Sequence, residues 1–390
     1  MPMPQSTGFS LTRLFAYPFR IFFLSVGIWA FLSVPLWLGM LTGSIDLPLA
    51  MPALYWHQHE MLFGFLNPAI AGFLLTAVCV WTQTDRIHGS PLFVLWLIWL
   101  AGRVFCTLGA QLPVWLVNGV DLAFLPLVML DAGYRIWYPR QSRQLVILVM
   151  LGLLWSMQAG FVLAPGFSFA AGALITATAL MLVVGGRITP AFSGNWLRMQ
   201  GGNPDAIRVH PGLEKLLLAS MALLLAAVLL DFKPVVTVIA PIAGAASLLR
   251  LWLWRGWRVR SEPLLWILHL SLLWIPVALF LLAGGAAGWI PSTAWVHAAA
   301  VGAMGGLILG VMSRVALGHT GRPLILPAGM VTAFALVQAA AGLRLLTAVQ
   351  IFPWRPGILI SGGCWIAAFA IFVWRYAPIL ARPRADGQPG

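Results

Sequence analysis

The chain has 390 residues, of which 61% are hydrophobic and only 8% charged, with a mean hydropathy of +0.92. A soluble domain carries roughly 25% charged residues, so this composition excludes a water-soluble globular fold and leaves lipid as the solvent. The net charge of +13 would suit a nucleic-acid binder, but the basic residues are spread over short joints between apolar runs, where they read as topology determinants. Cys79, Cys106 and Cys364 all lie inside apolar runs, so no disulfide framework or CxxC metal site is readable.

A membrane-crossing helix needs about 20 apolar residues. Hydropathy and breaker residues place such runs at 19–41, 59–82, 91–109, 113–130, 144–163, 167–188, 213–230, 234–253, 264–283, 295–316, 323–342 and 357–377. The expected fold is an all-α polytopic bundle of twelve spans, one transmembrane domain over 1–390 with short tails at 1–18 and 378–390. The first run is too long for a signal-peptide core and lacks a small-residue cleavage site, so it reads as a span. The joints at Ala164-Pro165-Gly166 and near Asp231 are tight enough to require antiparallel hairpins. The longest joint, Arg187 to Gly212, holds Gly201-Gly202-Asn203-Pro204 and reads as a surface turn. No repeat of fixed period is visible.

Charge sets the expected orientation. With the N-terminus inside, nineteen of the 23 basic residues fall on the inner face, Arg140, Arg143, Arg314 and Arg322 among them; only Arg103, Lys233, Arg344 and Arg355 fall on the other. The positive-inside rule then places both termini in the cytoplasm.

Charges inside spans are costly and mark function or packing. Arg103 lies about 9 Å and Asp121 about 13 Å below the outer turn that joins spans three and four, so the two can meet, either as a packing ion pair or as a proton-relay position. The seven histidines sort by depth. His57 and His59, in Trp56-His57-Gln58-His59-Glu60, and His297 lie at the outer ends of spans two and ten. His269 lies within span nine toward the inner face, and His319 just past the inner end of span ten. His88 and His210 fall in inner joints and read as solvated. On a regular helix His57 and His59 point about 200° apart, so they converge on one metal only if their segment is extended or capped. His297 and His319 are roughly 33 Å apart along a helix and serve opposite faces. Between them Gly302-x3-Gly306-x3-Gly310 permits close helix packing, or flat space for a macrocycle. Met304 and Met312 read as core. Trp37, Trp56, Trp81, Trp196 and Trp289 read as interfacial anchors.

These residues carry a resemblance. The segments Arg20 with Phe22-Phe23, Trp56-His57-x-His59-Glu60-Met61-x-Phe63-Gly64-Phe65, Trp99 to Arg103, Gly185 to Phe192, Leu268-His269-Leu270, Val311-Met312-x-Arg314-Val315 and Leu317-Gly318-His319-Thr320-Gly321-Arg322 resemble the NnrS family of bacterial membrane proteins. That family is described as haem- and copper-containing and linked to the nitric oxide response. It tends to carry a Gly-Arg-Pro turn after span two, where this chain has Thr82 to Gly89. The resemblance implies haem and copper, held by His57, His59, His269, His297 and His319, in the bacterial inner membrane. The expectation drawn from it is an outer metal site at His57, His59 and His297 and an inner site at His269 with His319, with Glu60 orienting a ligand and Arg103, Asp121, Arg314 and Arg322 in supporting places. Redox chemistry on nitric oxide or a derived species is the activity such metals would supply. A twelve-helix secondary transporter, with breaks at Asn67-Pro68 and Pro276, and a non-catalytic sensor or assembly factor are the competing readings.

Overall fold

The computed structural model describes residues 11–137, 144–164 and 166–388. Arg140, Arg143 and Pro165 lie outside the described residues. No strand occurs among the described residues, and twelve helices are long and apolar enough to cross a membrane. They are α1 (Pro18–Leu41), α2 (Ala53–Thr82), α3 (Gly89–Leu108), α4 (Val114–Trp137), α5 (Leu145–Leu163), α6 (Ser168–Met199), α7 (Pro211–Leu229), α8 (Lys233–Trp254), α9 (Pro263–Ala286), α10 (Ala294–His319), α11 (Met330–Ala348) and α12 (Trp354–Ala381).

The chain forms two compact units. The first comprises Met1–Pro165, Met312–Met330 and Phe369–Gly390; the second comprises Gly166–Val311 and Val331–Ala368. The divisions fall inside α10 and α12. Of the positions expected of broken helices, Pro276 lies inside a continuous helix, while Asn67-Pro68 open the α-helical segment Leu66–Thr82 that follows the π-turn Glu60–Gly64.

In the first unit, the ends of the helices explain the residues around them. Pro18 opens α1 at a position where its missing N–H costs nothing, and the Phe19 N–H donates to Thr76 Oγ1 of α2 at 3.1 Å. Arg20 is fully buried and donates to the carbonyls of Leu380 and Arg382, so it caps the last turn of α12, where backbone acceptors have no helical donor. At its other end α1 closes on Thr42 and Ser44, whose hydroxyls donate to the carbonyls of Leu38 and Gly39. The following loop is tied to the end of α3: the Ala50 N–H donates to the Cys106 carbonyl at 3.2 Å, and the Ala110 N–H to the Pro48 carbonyl at 2.9 Å.

Several boundaries differ from the sequence expectation: α4 runs on to Trp137 rather than 130, α11 is Met330–Ala348 rather than 323–342, and two further shifts have a readable cause. The second span starts at Ala53 rather than 59, because Pro52 supplies a ready helix start and Trp56 anchors that first turn in the core. Trp56 is fully buried and its Nε1 donates to Thr107 Oγ1 at 3.1 Å, which corrects its reading as an interfacial anchor. Trp289, at 82% exposure, retains that reading. α6 runs on through Arg187 to Met199, because Trp196 and Leu197 pack against Val259 and Leu265 and keep the extension buried.

The helices also carry a repeat that the sequence reading did not find. α1 and α9 are both 24 residues long and open on proline. His59 and His297 each immediately precede a π-helical stretch, Glu60–Gly64 in α2 and Ala298–Gly305 in α10. Gly64 and Gly72 stand at the same spacings from His59 as Gly302 and Gly310 from His297. The helix before fills the missing side chains in matching register. Trp29 and the Phe22-Phe23 pair do so in the first unit, and Trp274 and the Ile267-Leu268 pair in the second. A two-helix hairpin with a π-turn at its entrance is therefore used twice, each time behind a histidine. Such turns re-aim the residues around them and gather at functional sites.

The α10 glycines serve packing. A Cβ at Gly302 would meet the Trp274 ring, at Gly306 the Ser271 hydroxyl and the Gln338 amide, and at Gly310 Ile267 and Leu268. Trp274 Nε1 donates to Gln338 Oε1 at 2.6 Å. The stripe is filled by protein and has no flat space for a macrocycle. Gly306→Val is expected to cost about 1–3 kcal/mol through overpacking. Gly342→Ala, where a Cβ meets nothing within 4 Å, is expected to be neutral or to gain up to about 1 kcal/mol. Unfolding midpoints in detergent, converted with the measured slope, check both.

A candidate metal centre at a buried ring of charges

The π-turn at the head of α2 places two consecutive residues, His59 and Glu60, against α3 and α4. Both are fully buried. His59 Nδ1 donates to Glu60 Oε1 at 3.0 Å, and His59 Nε2 donates to Asp121 Oδ2 at 2.9 Å. Arg103 completes the figure: its Nη1 donates to Glu60 Oε2 at 2.9 Å and its Nη2 to Asp121 Oδ1. Each carboxylate thus bridges the same two basic groups, and the four side chains form a closed ring. Asp121 Oδ2 also accepts from Gln158 Nε2 of α5 at 2.7 Å, and Gln158 Oε1 accepts from Asn67 Nδ2 of α2 at 3.0 Å.

This geometry answers the energetic problem of burying charge in a membrane. An isolated ion is expensive there, and one ion pair only partly offsets the loss of hydration. A closed ring of two acids and two bases leaves neither carboxylate without a cation. Gly64 makes the closure sterically possible, since a Cβ there would strike Glu60 Oε2 and Arg103 Nη1. Its carbonyl accepts from Trp99 Nε1 at 3.1 Å.

A third potential ligand stands beside the ring. Cys106, one turn after Arg103 on α3, is buried. Its Sγ, a His59 nitrogen and an Asp121 oxygen all lie within 4.8 Å of one another. Imidazole and sulfur are donors that suit copper. Glu60 holds the far nitrogen of His59, the carboxylate–histidine arrangement that orients metal ligands in proteins. The residues present fit a copper ion.

The expected histidines divide between the two units. The helix sends His57 and His59 to different neighbours, and His57 stacks on Trp37 with ring centroids 4.5 Å apart. His319, in the first unit, packs near Phe19 at 5.5 Å. The chain's own tail lies over its turn: Arg384 donates to the His319 carbonyl, and the Ala385 N–H to the Thr320 carbonyl. There Arg384 holds the Asp386 carboxyl down to about 2, while burial and nearby Arg382 lower the Arg322 guanidinium below its usual value. Arg314 is half-buried in α10. His297 and His269 belong to the second unit. His269 Nε2 and Ser193 Oγ are 3.0 Å apart, and the Trp254 ring stands edge-on to His269 at 6.3 Å. His88 and His210 are exposed, as expected of solvated residues.

The family model described as NnrS protein matches residues 13–384. The chain belongs to the NnrS family. No curated protein matches it. The match covers nearly the whole chain, including the ring, Cys106 and the segments on which the resemblance was drawn. The Arg103–Asp121 meeting follows from the short α3–α4 turn. Cys106 and Gln158 escaped the sequence reading. The three-residue spacing of Arg103 and Cys106, which puts both on one helix face, was a usable signal; nothing local marks Gln158.

Arg103→Met leaves two buried carboxylates with His59 as their one charged partner and is expected to cost about 3–5 kcal/mol. Adding Glu60→Gln should recover a measurable part of that loss. Equal or greater loss in the double variant, measured by unfolding in detergent, would show that the ring is not coupled.

Proposed function

We propose that this chain is a haem- and copper-containing NnrS-family protein of the bacterial inner membrane, with both termini in the cytoplasm, acting in the response or tolerance to nitric oxide. The observation that carries the reading is the convergence of His59, Cys106 and Asp121 inside a unit whose sequence matches the family. These three residues would hold copper. The excess of arginine in the joints of one face supports the orientation.

Bound copper supplies one-electron chemistry between its two common oxidation states. The protein's part is positional. Glu60 fixes the imidazole through Nδ1 and presents Nε2 toward Cys106 and Asp121. Arg103 holds both carboxylates in place. A metal held there would take the place of a proton on Nε2, and Asp121, bonded to Gln158, would keep a neutral donor without its histidine contact. Burial keeps bulk water from the ring.

Haem, implied by the family, finds its best surroundings in the second unit at His269. The ring is half-buried, and the polar atoms Thr189 Oγ1 and Trp254 Nε1, buried in the same unit, have no hydrogen-bond partner among the described residues. The packing of the α10 glycine stripe argues against a haem on that face. His57, His297 and His319 remain the other histidines the family implies.

The test is metal and haem analysis of purified protein with its optical spectrum. Wild type is expected to carry copper and a haem absorption band. Cys106→Ser is expected to lose at least half of its copper while keeping the haem band, and His269→Ala the reverse. Wild-type protein with neither cofactor would end this reading.

A further inference from the structure

Beside the outer end of α2 lies a cavity of about 440 Å³, lined by residues including Met40, Asp46, Met51 and Pro52. Met40 lies in the last turn of α1 and Met51 in the loop that follows it, so α1 and this loop bring two methionines to one opening. Both are half-buried, and both pack against the buried cluster of Trp56, Cys106 and Val117. Trp37, stacked on His57, packs against the same cluster. The loop is docked on α3 at the cysteine itself, through Ala50 N–H to the Cys106 carbonyl. The methionines of the cavity and Cys106 thus belong to one packed cluster.

Methionine in such a place is most often packing. Here three features go together: two methionines line one open cavity, exposed Asp46 stands at its wall, and both methionines pack on the core that holds Cys106. Thioethers are soft ligands that select Cu(I) over harder, more abundant cations, and a carboxylate at the mouth raises the local concentration of any cation. We propose that Met40 and Met51 form a Cu(I) acceptance site at this opening, from which copper passes inward to Cys106 and His59. The transfer part rests on the copper reading of the buried centre; the acceptance site stands on the cavity and its sulfurs. The step is ligand exchange: Cu(I)–thioether bonds break as the bond to the Cys106 sulfur forms, the thiol proton leaves, and copper's oxidation state is unchanged.

Met→Leu keeps volume and apolarity, so Met40→Leu and Met51→Leu should fold. Protein carrying ¹³C-methyl methionine is titrated with Ag(I), a redox-inert substitute for Cu(I), in wild type and in Cys106→Ser. The methyl signals of Met40 and Met51, assigned by their loss in the single variants, are expected to shift within the first two equivalents in both backgrounds. Their failure to shift overturns the acceptance site. In a second arm, Cu(I) held by a chelating buffer is added to metal-free protein, and its arrival is followed by the ultraviolet thiolate-to-Cu(I) absorption that Cys106→Ser lacks. Met40→Leu/Met51→Leu is expected to slow the rise of that absorption at least tenfold and to leave its end point unchanged. Equal rates with wild type overturn the transfer. If the absorption never rises in wild type, the buried copper centre itself fails, and the silver titration in Cys106→Ser decides the acceptance site alone.

Discussion

The first unit is organised by one constraint: charges removed from water must find compensation within the protein. Glu60 and Asp121 are each acceptable in a bilayer because Arg103 and His59 face both of them. That requirement fixes the register of α2 against α3 and α4. The π-turn at the head of α2 lets adjacent His59 and Glu60 both enter the ring, and Gly64 leaves room for it. Interactions of this kind specify an arrangement more than they stabilise it. They also leave polar ligands pre-positioned in a dry interior, which is what a metal site requires.

The repeat of the hairpin in α9 and α10 shows which parts of that device are general. Proline at the helix start, histidine before a π-turn and glycines under the preceding helix recur in the second unit. The charges do not. At Gly302 the space is filled by an indole, where at Gly64 a carboxylate and a guanidinium meet. The scaffold of the entrance is thus shared, and the charged ring is particular to the first unit.

Much of the fold was legible because it depends on local properties. Twelve apolar runs of sufficient length, separated by proline, glycine and arginine, mark twelve helices without knowledge of their packing. The meeting of Arg103 with Asp121 was legible for a similar reason, since a short turn between antiparallel helices fixes relative depth. The site was less legible because it depends on contacts between distant segments. Gln158 reaches Asp121 from a different helix, and Cys106 reads as one more apolar residue until the imidazole of His59 stands beside it. Trp56 looked interfacial by its position near a span end, and only the packing of the loop over α3 shows why it is buried. The joint orientation of His57 and His59 depended on whether their segment was regular. It is helical, so they part.

The central claim is that the charge ring presents His59 and Asp121, with the neighbouring Cys106, to a copper ion. X-ray absorption at the copper edge of purified Met40→Leu/Met51→Leu protein loaded with one equivalent of copper, which leaves Cys106 as the sulfur donor of the account, addresses it most directly. The account predicts a first shell with one sulfur scatterer beside nitrogen and oxygen, with the sulfur contribution lost when Cys106→Ser is added. A shell of nitrogen and oxygen alone before that substitution, or a sulfur contribution that survives it unchanged, would contradict it.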